Sequence, residues 1–326
     1  MLVLLVIGFG VASGDHAFVR GSNLVDVLRQ SSILAVAAIG MTLVVLAGGI
    51  DLAVGSVMAL VGVLAALLGR SATGGGPIDL PSWCSELPAA VVVALMLMFG
   101  FAWGIGTALL VTRLKVPPLI ATLGTMSIGR GLVQWITGAA AVRNEAPSEG
   151  WEQLTWLGRG FVFRFGSGES SLGLPAPVLV AAVVALLGAV VLHRTTFGTW
   201  LYGIGCNEEA CRLSGIDVRK VKALAYGLAG AIFALAGVMS LGRQGYALPA
   251  AATGFELDVV TAVVLGGVSI TGGEGHVLGV VTGVLILGVL ENGLTMMRLQ
   301  YHEILVIKGA VLLAAVALDR FLRTRK

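Results

Sequence analysis

Long apolar stretches, each bounded by glycine, proline or charged residues, follow one another along almost the whole chain. A helix needs about 20 predominantly apolar residues to cross a bilayer, and its backbone must satisfy its own hydrogen bonds there. The pattern therefore predicts an all-α, polytopic membrane protein with about ten transmembrane helices, some of them short or interrupted. The predicted spans lie near residues 1–13, 31–49, 54–69, 88–112, 117–138, 176–192, 221–241, 257–272, 276–297 and 304–319.

Composition excludes a water-soluble globule. Hydrophobic residues make up 57% of the 326 residues and charged residues only 12%, whereas a soluble domain carries about 25% charged residues. Ten spans leave room for loops but for no separate soluble domain, so we predict one transmembrane domain over residues 1–326. The net charge of +3 comes from scattered basic residues, which argues against a nucleic acid partner and leaves the lipid membrane as the surroundings.

Two breaks in the apolar pattern are unusually short. One surrounds Asp51, and the other surrounds Gly272 and Gly273. Each is either a tight hairpin or a helix interrupted inside the protein, because irregular backbone at membrane depth is tolerated only where it is buried or wetted.

Basic residues predict the orientation, since lysine and arginine favour cytoplasmic loops. One set of loops holds eleven of them, including four of the five lysines, and the other holds eight arginines and no lysine. Both termini and residues 193–220 are therefore predicted to be cytoplasmic, with residues 139–175 an external loop and Cys84 outside. The eleven are Arg113, Lys115, Arg194, Arg212, Arg219, Lys220, Lys222, Arg320, Arg323, Arg325 and Lys326.

Motifs for catalysis and for metal binding are missing from the sequence. No lysine is followed by serine or threonine, so the chain carries no Walker A loop, and no Gly-x-Ser-x-Gly is present. The four histidines are widely separated, and the three cysteines form no disulfide or metal pattern. We therefore predict neither an enzyme nor a metal site, and no cofactor of the chain's own.

The predicted cytoplasmic segment contains signals for a short capped helix. Asn207 can cap it, Glu208 and Glu209 suit its first turn, Gly215 can end it, and Asp217 can begin the next helix. On these features the segment is either a structured loop or a docking knob for a cytoplasmic partner.

Four motifs together resemble the ribose/simple-sugar ABC transporter permease family, a bacterial membrane permease of the branched-chain amino acid/ribose type. They are GMTLVVLAGGIDLAVGS (40–56), LGTM followed by Arg130-Gly131 (123–131), NEEACRLSGI (207–216) and GFELDVVTAVVLGGVSITGGEG (254–275). The resemblance runs from about residue 22 to the C-terminus in the family's order.

The resemblance implies a multi-pass subunit of the bacterial inner membrane that imports a monosaccharide by alternating access. Its implied partners are a cytoplasmic ATP-binding-cassette ATPase, which binds the ATP, an extracytoplasmic sugar-binding protein and a second permease chain, identical or not. The family's coupling loop corresponds to Glu208, Glu209, Ala210 and Gly215, with Cys211 replacing a second alanine. The alternative is a secondary transporter or channel that works alone.

Several charged residues within or beside the spans are candidates for the translocation path or for gating. Asp51 is either a helix cap or a gating residue, and Glu256 and Asp258 suit the start of a helix. Arg130, Glu291 and Lys308 lie at membrane depth, where a charge must face protein or water. For Arg130 the alternatives are an interhelical pair, with Glu291 or with a helix C-terminus, and a polar group lining the pathway.

Overall fold

The computed structural model describes residues 1–12, 18–69, 87–143, 149–165 and 172–323. Thirteen helices and four short strands are found in these ranges. The helices are α1 (Leu2–Ala12), α2 (Gly21–Leu46), α3 (Val54–Leu68), α4 (Ala89–Thr112), α5 (Pro118–Thr137), α6 (Glu149–Arg159), α7 (Ala176–Arg194), α8 (Thr196–Cys206), α9 (Glu208–Leu213), α10 (Val218–Gln244), α11 (Phe255–Leu265), α12 (Val277–Met296) and α13 (Tyr301–Arg323).

Each of the ten predicted spans contains a helix. The observed helix ends differ from the predicted span ends where polar residues or a left-handed glycine set the boundary. Helix α2 begins ten residues before the predicted span, because its first turns are polar and carry no hydropathy signal. Helix α11 ends at Leu265 rather than at residue 272, because Gly267 takes a left-handed conformation (φ +80°).

The bundle is built around α10, which packs against α2, α3, α4 and α6. Helices α4 and α10 approach so closely that a Cβ on Gly100 would overlap the backbone of Gly230. Small residues allow such contact between helix backbones in membranes. Helices α2, α10 and α12 are mostly buried, whereas α4 and α7 expose most of their apolar residues, as expected of helices that face lipid.

The two short breaks fold differently from each other. Helices α11 and α12 pack together as a hairpin, with Gly279 and Gly283 against the backbone of Gly266 and Ala262. Helix α2 instead packs with α7, α10 and α12, while α3 packs with α4, α5 and α10. The segment around Asp51 is therefore a buried interruption between helices with mostly different neighbours.

The predicted external loop is in part a folded cap that adds short strands to an otherwise helical chain. Strands β1 (Val142–Arg143) and β4 (Tyr246–Ala247) form one antiparallel ribbon, and β2 (Phe161–Phe165) and β3 (Leu172–Pro175) form another. Helix α6 buries Trp151 and Leu154 against the end of α10. Hydropathy did not predict this cap because α6 is polar on its outer face.

Five of the described helices are long and apolar enough to cross a membrane, namely α2, α4, α7, α10 and α12. The chain is therefore a predominantly helical, multi-pass membrane protein. Helix length alone does not establish ten full crossings, because α11 has 11 residues and rises only about 16 Å, roughly half of the hydrocarbon thickness.

Candidate functional site

Helix α9 is held in place by local hydrogen bonds that the sequence predicts. The Asn207 side chain accepts a hydrogen bond from the Ala210 N–H (2.9 Å), and Gly215, just beyond the helix, has φ +85°. The Asp217 side chain accepts one from the Lys220 N–H (3.2 Å) and caps α10. Two caps and one left-handed glycine thus define a short exposed helix of six residues between α8 and α10. Residues 207–217 are called the projection below.

The four predicted coupling residues lie together on this projection. None of the residues of α9 is buried. Glu208 binds Lys222 (2.6 Å), and Glu209 binds Arg212 (2.5 Å). Hydrogen bonding to Glu209 raises the pKa of Arg212, and hydrogen bonds from Lys220 hold the pKa of Asp217 below its usual value. Both shifts favour the charged forms of Arg212 and Asp217 at neutral pH.

Three glycines bring the end of α8, next to α9, close to the backbone of both breaks. A Cβ on Gly205, at the end of α8, would overlap the Leu46 carbonyl oxygen and the Gly273 nitrogen. A Cβ on Gly272 would meet the Gly48 backbone at 2.9 Å, and the Gly273 N–H donates to the Leu46 carbonyl (3.1 Å). The end of α8, which leads directly into α9, therefore lies against the backbone of both breaks.

Asp51 is buried in the first break, with 2% of its surface exposed. Its Oδ1 accepts a hydrogen bond from the Ala53 N–H (2.9 Å), but the N-cap of α3 is Ala53 itself. The prediction that Asp51 caps this helix is therefore wrong by two residues, because the chain makes one further turn before α3 begins.

Arg130 contacts the turn that precedes α11. Its guanidinium donates to the carbonyl oxygens of Ala251 (2.6 Å) and Ala252 (2.9 Å), and Glu256 lies nearby, in the first turn of α11. The predicted pairing with Glu291 is wrong. Irregular backbone at membrane depth needs hydrogen-bond partners, and Arg130 supplies them.

Lys308 joins Asp258 and Glu291. The sequence predicts that Lys308 lies at membrane depth but does not predict which residues it binds. Lys308 of α13 binds Asp258 of α11 (2.8 Å) and Glu291 of α12 (3.2 Å). Gln30 of α2 donates to Glu291 (3.2 Å) and accepts from Arg243 of α10 (3.3 Å). One polar network therefore links five helices at their ends away from α9.

This network borders a cavity of about 360 Å³. Apolar side chains, among them Ile33, Leu34, Met58 and Phe255, form part of its wall. The polar side chains around it come from α2, α10, α11 and α12, and are Gln30, Ser31, Ser240, Arg243, Gln244, Asp258 and Glu291. The cavity, called the polar cavity below, brings together two of the predicted pathway residues but not Asp51, Arg130 or Glu256.

Sequence reasoning missed Gln30, Arg243 and Gln244, which fall just outside the apolar limits of spans 31–49 and 221–241. It also missed His193 and His276, 83 residues apart, whose Nε2 and Nδ1 atoms lie 3.3 Å from each other. Within the described residues no three His, Cys, Asp or Glu side chains cluster as metal ligands would.

Comparison with known proteins gives matches over almost the whole chain. A family model described as branched-chain amino acid transport system / permease component matches residues 23–316. The ribose import permease protein RbsC of Escherichia coli (strain K12) is 39% identical over 98% of this chain and 92% of its own length. The protein of that name from Bacillus subtilis (strain 168) is 37% identical over 98% and 90%.

A xylose transport system permease protein, XylH of Haemophilus influenzae (strain ATCC 51907 / DSM 11121 / KW20 / Rd), is 31% identical over 97% of this chain and 94% of its own length. No solved structure matches the chain significantly.

Proposed function

Because the chain belongs to the branched-chain amino acid transport system / permease component family, we propose that it is the membrane-spanning permease subunit of an ATP-binding-cassette importer for a monosaccharide. The observation that carries the proposal is 39% identity to a ribose import permease over 98% of the chain. Other relatives are named for xylose, D-allose and galactose, which favours simple sugars as the substrate class.

Helix α9 is proposed as the segment that docks on the ATPase. It is short, exposed and fixed by caps on both sides, so it can move as a rigid body. The backbone contacts of Gly205 with Leu46 and Gly273 supply a route from α9 to both breaks. ATP hydrolysis on the partner would thereby reorient the bundle, with Asp51 near the moving segment and Arg130 and Glu256 beside the turn before α11.

The alternative function is a secondary transporter or channel that works without an ATPase. Such a protein needs an ion-coupling site or a ring of pore-lining charges. Here Lys308 pairs with both Asp258 and Glu291, so these three embedded residues do not form a ring of like charges. This arrangement favours the ATP-coupled importer.

The proposed assembly contains two permease chains, identical or different, two ATPase domains and an extracytoplasmic sugar-binding protein. We propose ten crossings in the bacterial inner membrane with both termini cytoplasmic, which places α9 inside and the α6 cap outside. A single transmembrane domain over residues 1–326 is part of the same proposal.

Thiol labelling is expected to separate the two sides of the membrane. Cys206, the last residue of α8, is exposed and Cys211, within α9, is half-buried, whereas Cys84 lies outside the described residues. A membrane-impermeant maleimide should label Cys84 alone in intact cells and Cys206 only after permeabilisation, with Cys206→Ser identifying the second signal. Labelling of Cys206 in sealed cells would reverse the orientation.

Reconstitution tests the function itself. Proteoliposomes that contain the chain, its partner ATPase and the binding protein should accumulate D-ribose or another simple sugar when ATP is supplied. Omitting the ATPase should abolish uptake, because the chain carries no Walker A loop. Gradient-driven sugar flux through the purified chain alone would instead identify a secondary transporter or channel.

A further inference from the structure

We propose that the polar cavity binds one molecule of the transported monosaccharide, so that each permease chain carries its own site for a neutral polyhydroxyl solute. The inference rests on the proposed function and adds a place and a recognition chemistry to it.

The size and walls of the cavity fit a small ligand. Its volume of about 360 Å³ lies in the range of roughly 300 to 1,000 Å³ that is typical of small-molecule sites. Such sites combine apolar walls with a few convergent polar groups. Phe255, Leu34 and Met58 supply apolar surface for the C–H faces of a sugar ring, and side chains of α2 and α10 supply the polar groups.

The charges around the cavity sum to zero. Arg243 and Lys308 carry two positive charges, and Asp258 and Glu291 carry two negative ones, with Lys308 bound to both carboxylates. Bringing an ionised ligand into such a site is unfavourable, because no opposite charge is left to offset its desolvation. A neutral solute avoids this cost, so the charge balance selects against sugar acids and sugar phosphates.

The hydrogen-bonding groups suit hydroxyls, which both donate and accept. Gln244 offers an amide that can both donate and accept, whereas the amide of Gln30 already binds Glu291 and Arg243. The buried Ser31 hydroxyl has no hydrogen-bond partner within the described part of the chain. Gln244 donates only to Ser240 of its own helix. Both side chains are therefore available to a ligand without breaking contacts between helices.

The test measures binding by the full chain in lipid nanodiscs, with neither ATPase nor binding protein present. Saturation-transfer difference NMR with D-ribose should show specific binding with a dissociation constant of about a millimolar, since a transport site must also release its solute. D-ribose 5-phosphate should bind at least about tenfold more weakly, because its charge is uncompensated. Equal or tighter binding of the phosphate would identify an anion site and overturn the proposal.

Two variants remove proposed ligand contacts without removing hydrogen bonds between helices. Ser31→Ala and Gln244→Ala should each weaken D-ribose binding by about fivefold, the effect of one lost hydrogen bond. Neither should lower the melting temperature, because Ser31 has no internal partner and Gln244 bonds only within α10.

Two control variants are matched to Ser31→Ala and Gln244→Ala, the first by its neighbouring position and the second by its side chain. Ser32→Ala removes a hydroxyl that is next to Ser31 but donates to Leu28 (2.7 Å) and does not line the polar cavity. Gln134→Ala removes an exposed glutamine of α5 away from the polar cavity. Both should bind D-ribose like the parent chain.

The outcomes separate this inference from the proposed function. If the complete importer transports D-ribose but the isolated chain does not bind it, or binds it equally in all four variants, the polar cavity is not a sugar site while the permease assignment stands. If the reconstituted importer shows no ATP-dependent uptake of any simple sugar, the proposed function itself fails, whatever the isolated chain binds.

Discussion

Glu209→Lys is expected to release the partner ATPase and abolish ATP-driven uptake while the membrane bundle stays folded. Glu209 lies on the exposed first turn of α9 and contacts only Arg212 of the same helix within the described structure. Exposed ion pairs contribute little to folding, so the melting temperature should not change. A reversed charge at a docking interface, by contrast, weakens binding by about tenfold or more.

Copurification of the ATPase with the permease gives the direct measurement, and uptake in proteoliposomes gives the functional one. Glu149→Lys is the matched control, because Glu149 is an exposed acid in the first turn of α6 at the opposite end of the bundle. It should retain the ATPase. Normal ATPase retention and uptake in Glu209→Lys would show that α9 is a structured loop with no docking role.

Gly215→Trp extends the same argument to the other side of α9. Gly215 has φ +85°, and no atom lies within 4 Å of the position that a Cβ would take. A tryptophan there projects into free space but strains the left-handed backbone. We expect the side chain to block docking, with a loss of ATPase similar to that in Glu209→Lys.

Arg130→Ala is expected to destabilise the permease strongly. The substitution removes two charge-assisted hydrogen bonds and leaves the carbonyl groups of Ala251 and Ala252 without their side-chain partner. Loss of such bonds in a partly buried setting costs about 3 kcal/mol or more. The effect should appear as a lower melting temperature in detergent and reduced yield of the inserted chain.

Arg130→Lys separates geometry from charge. Lysine keeps the positive charge beside Glu256 but lacks the planar fork that reaches both carbonyls, so it should restore only part of the lost stability. Uptake per folded molecule should stay near that of the parent chain in Arg130→Lys if Arg130 supports structure. A parental melting temperature combined with lost uptake in Arg130→Ala would instead place Arg130 on the pathway.

The candidate coupling segment could be predicted in detail because its signals are local. Asn207, Gly215 and Asp217 act on backbone groups only a few residues away, so their roles as cap, stop and cap follow from side-chain chemistry alone. The cap predicted at Asp51 was wrong because the sequence shows a capping residue but not how many residues separate it from the next helix.

The charged residues inside the bundle could be identified but not paired. Arg130 and Lys308 can be recognised in the sequence because they interrupt apolar runs. An unpaired charge at membrane depth is costly, so each of them requires a partner. The partners lie 121 residues away for Ala251 and 50 for Asp258, and no local rule connects such positions.

The sequence by itself determined that the chain is a helical membrane protein, where its main apolar helices lie and how α9 is capped, because these features depend on hydrophobicity and on contacts within a few residues. Only the tertiary structure decided which ends of α2, α10, α11 and α12 converge to enclose the polar cavity, and that Gly48, Gly205 and Gly272 meet. The physical reason is that convergence depends on how close helix backbones can pack, and that distance is set by pairs of residues far apart in the chain.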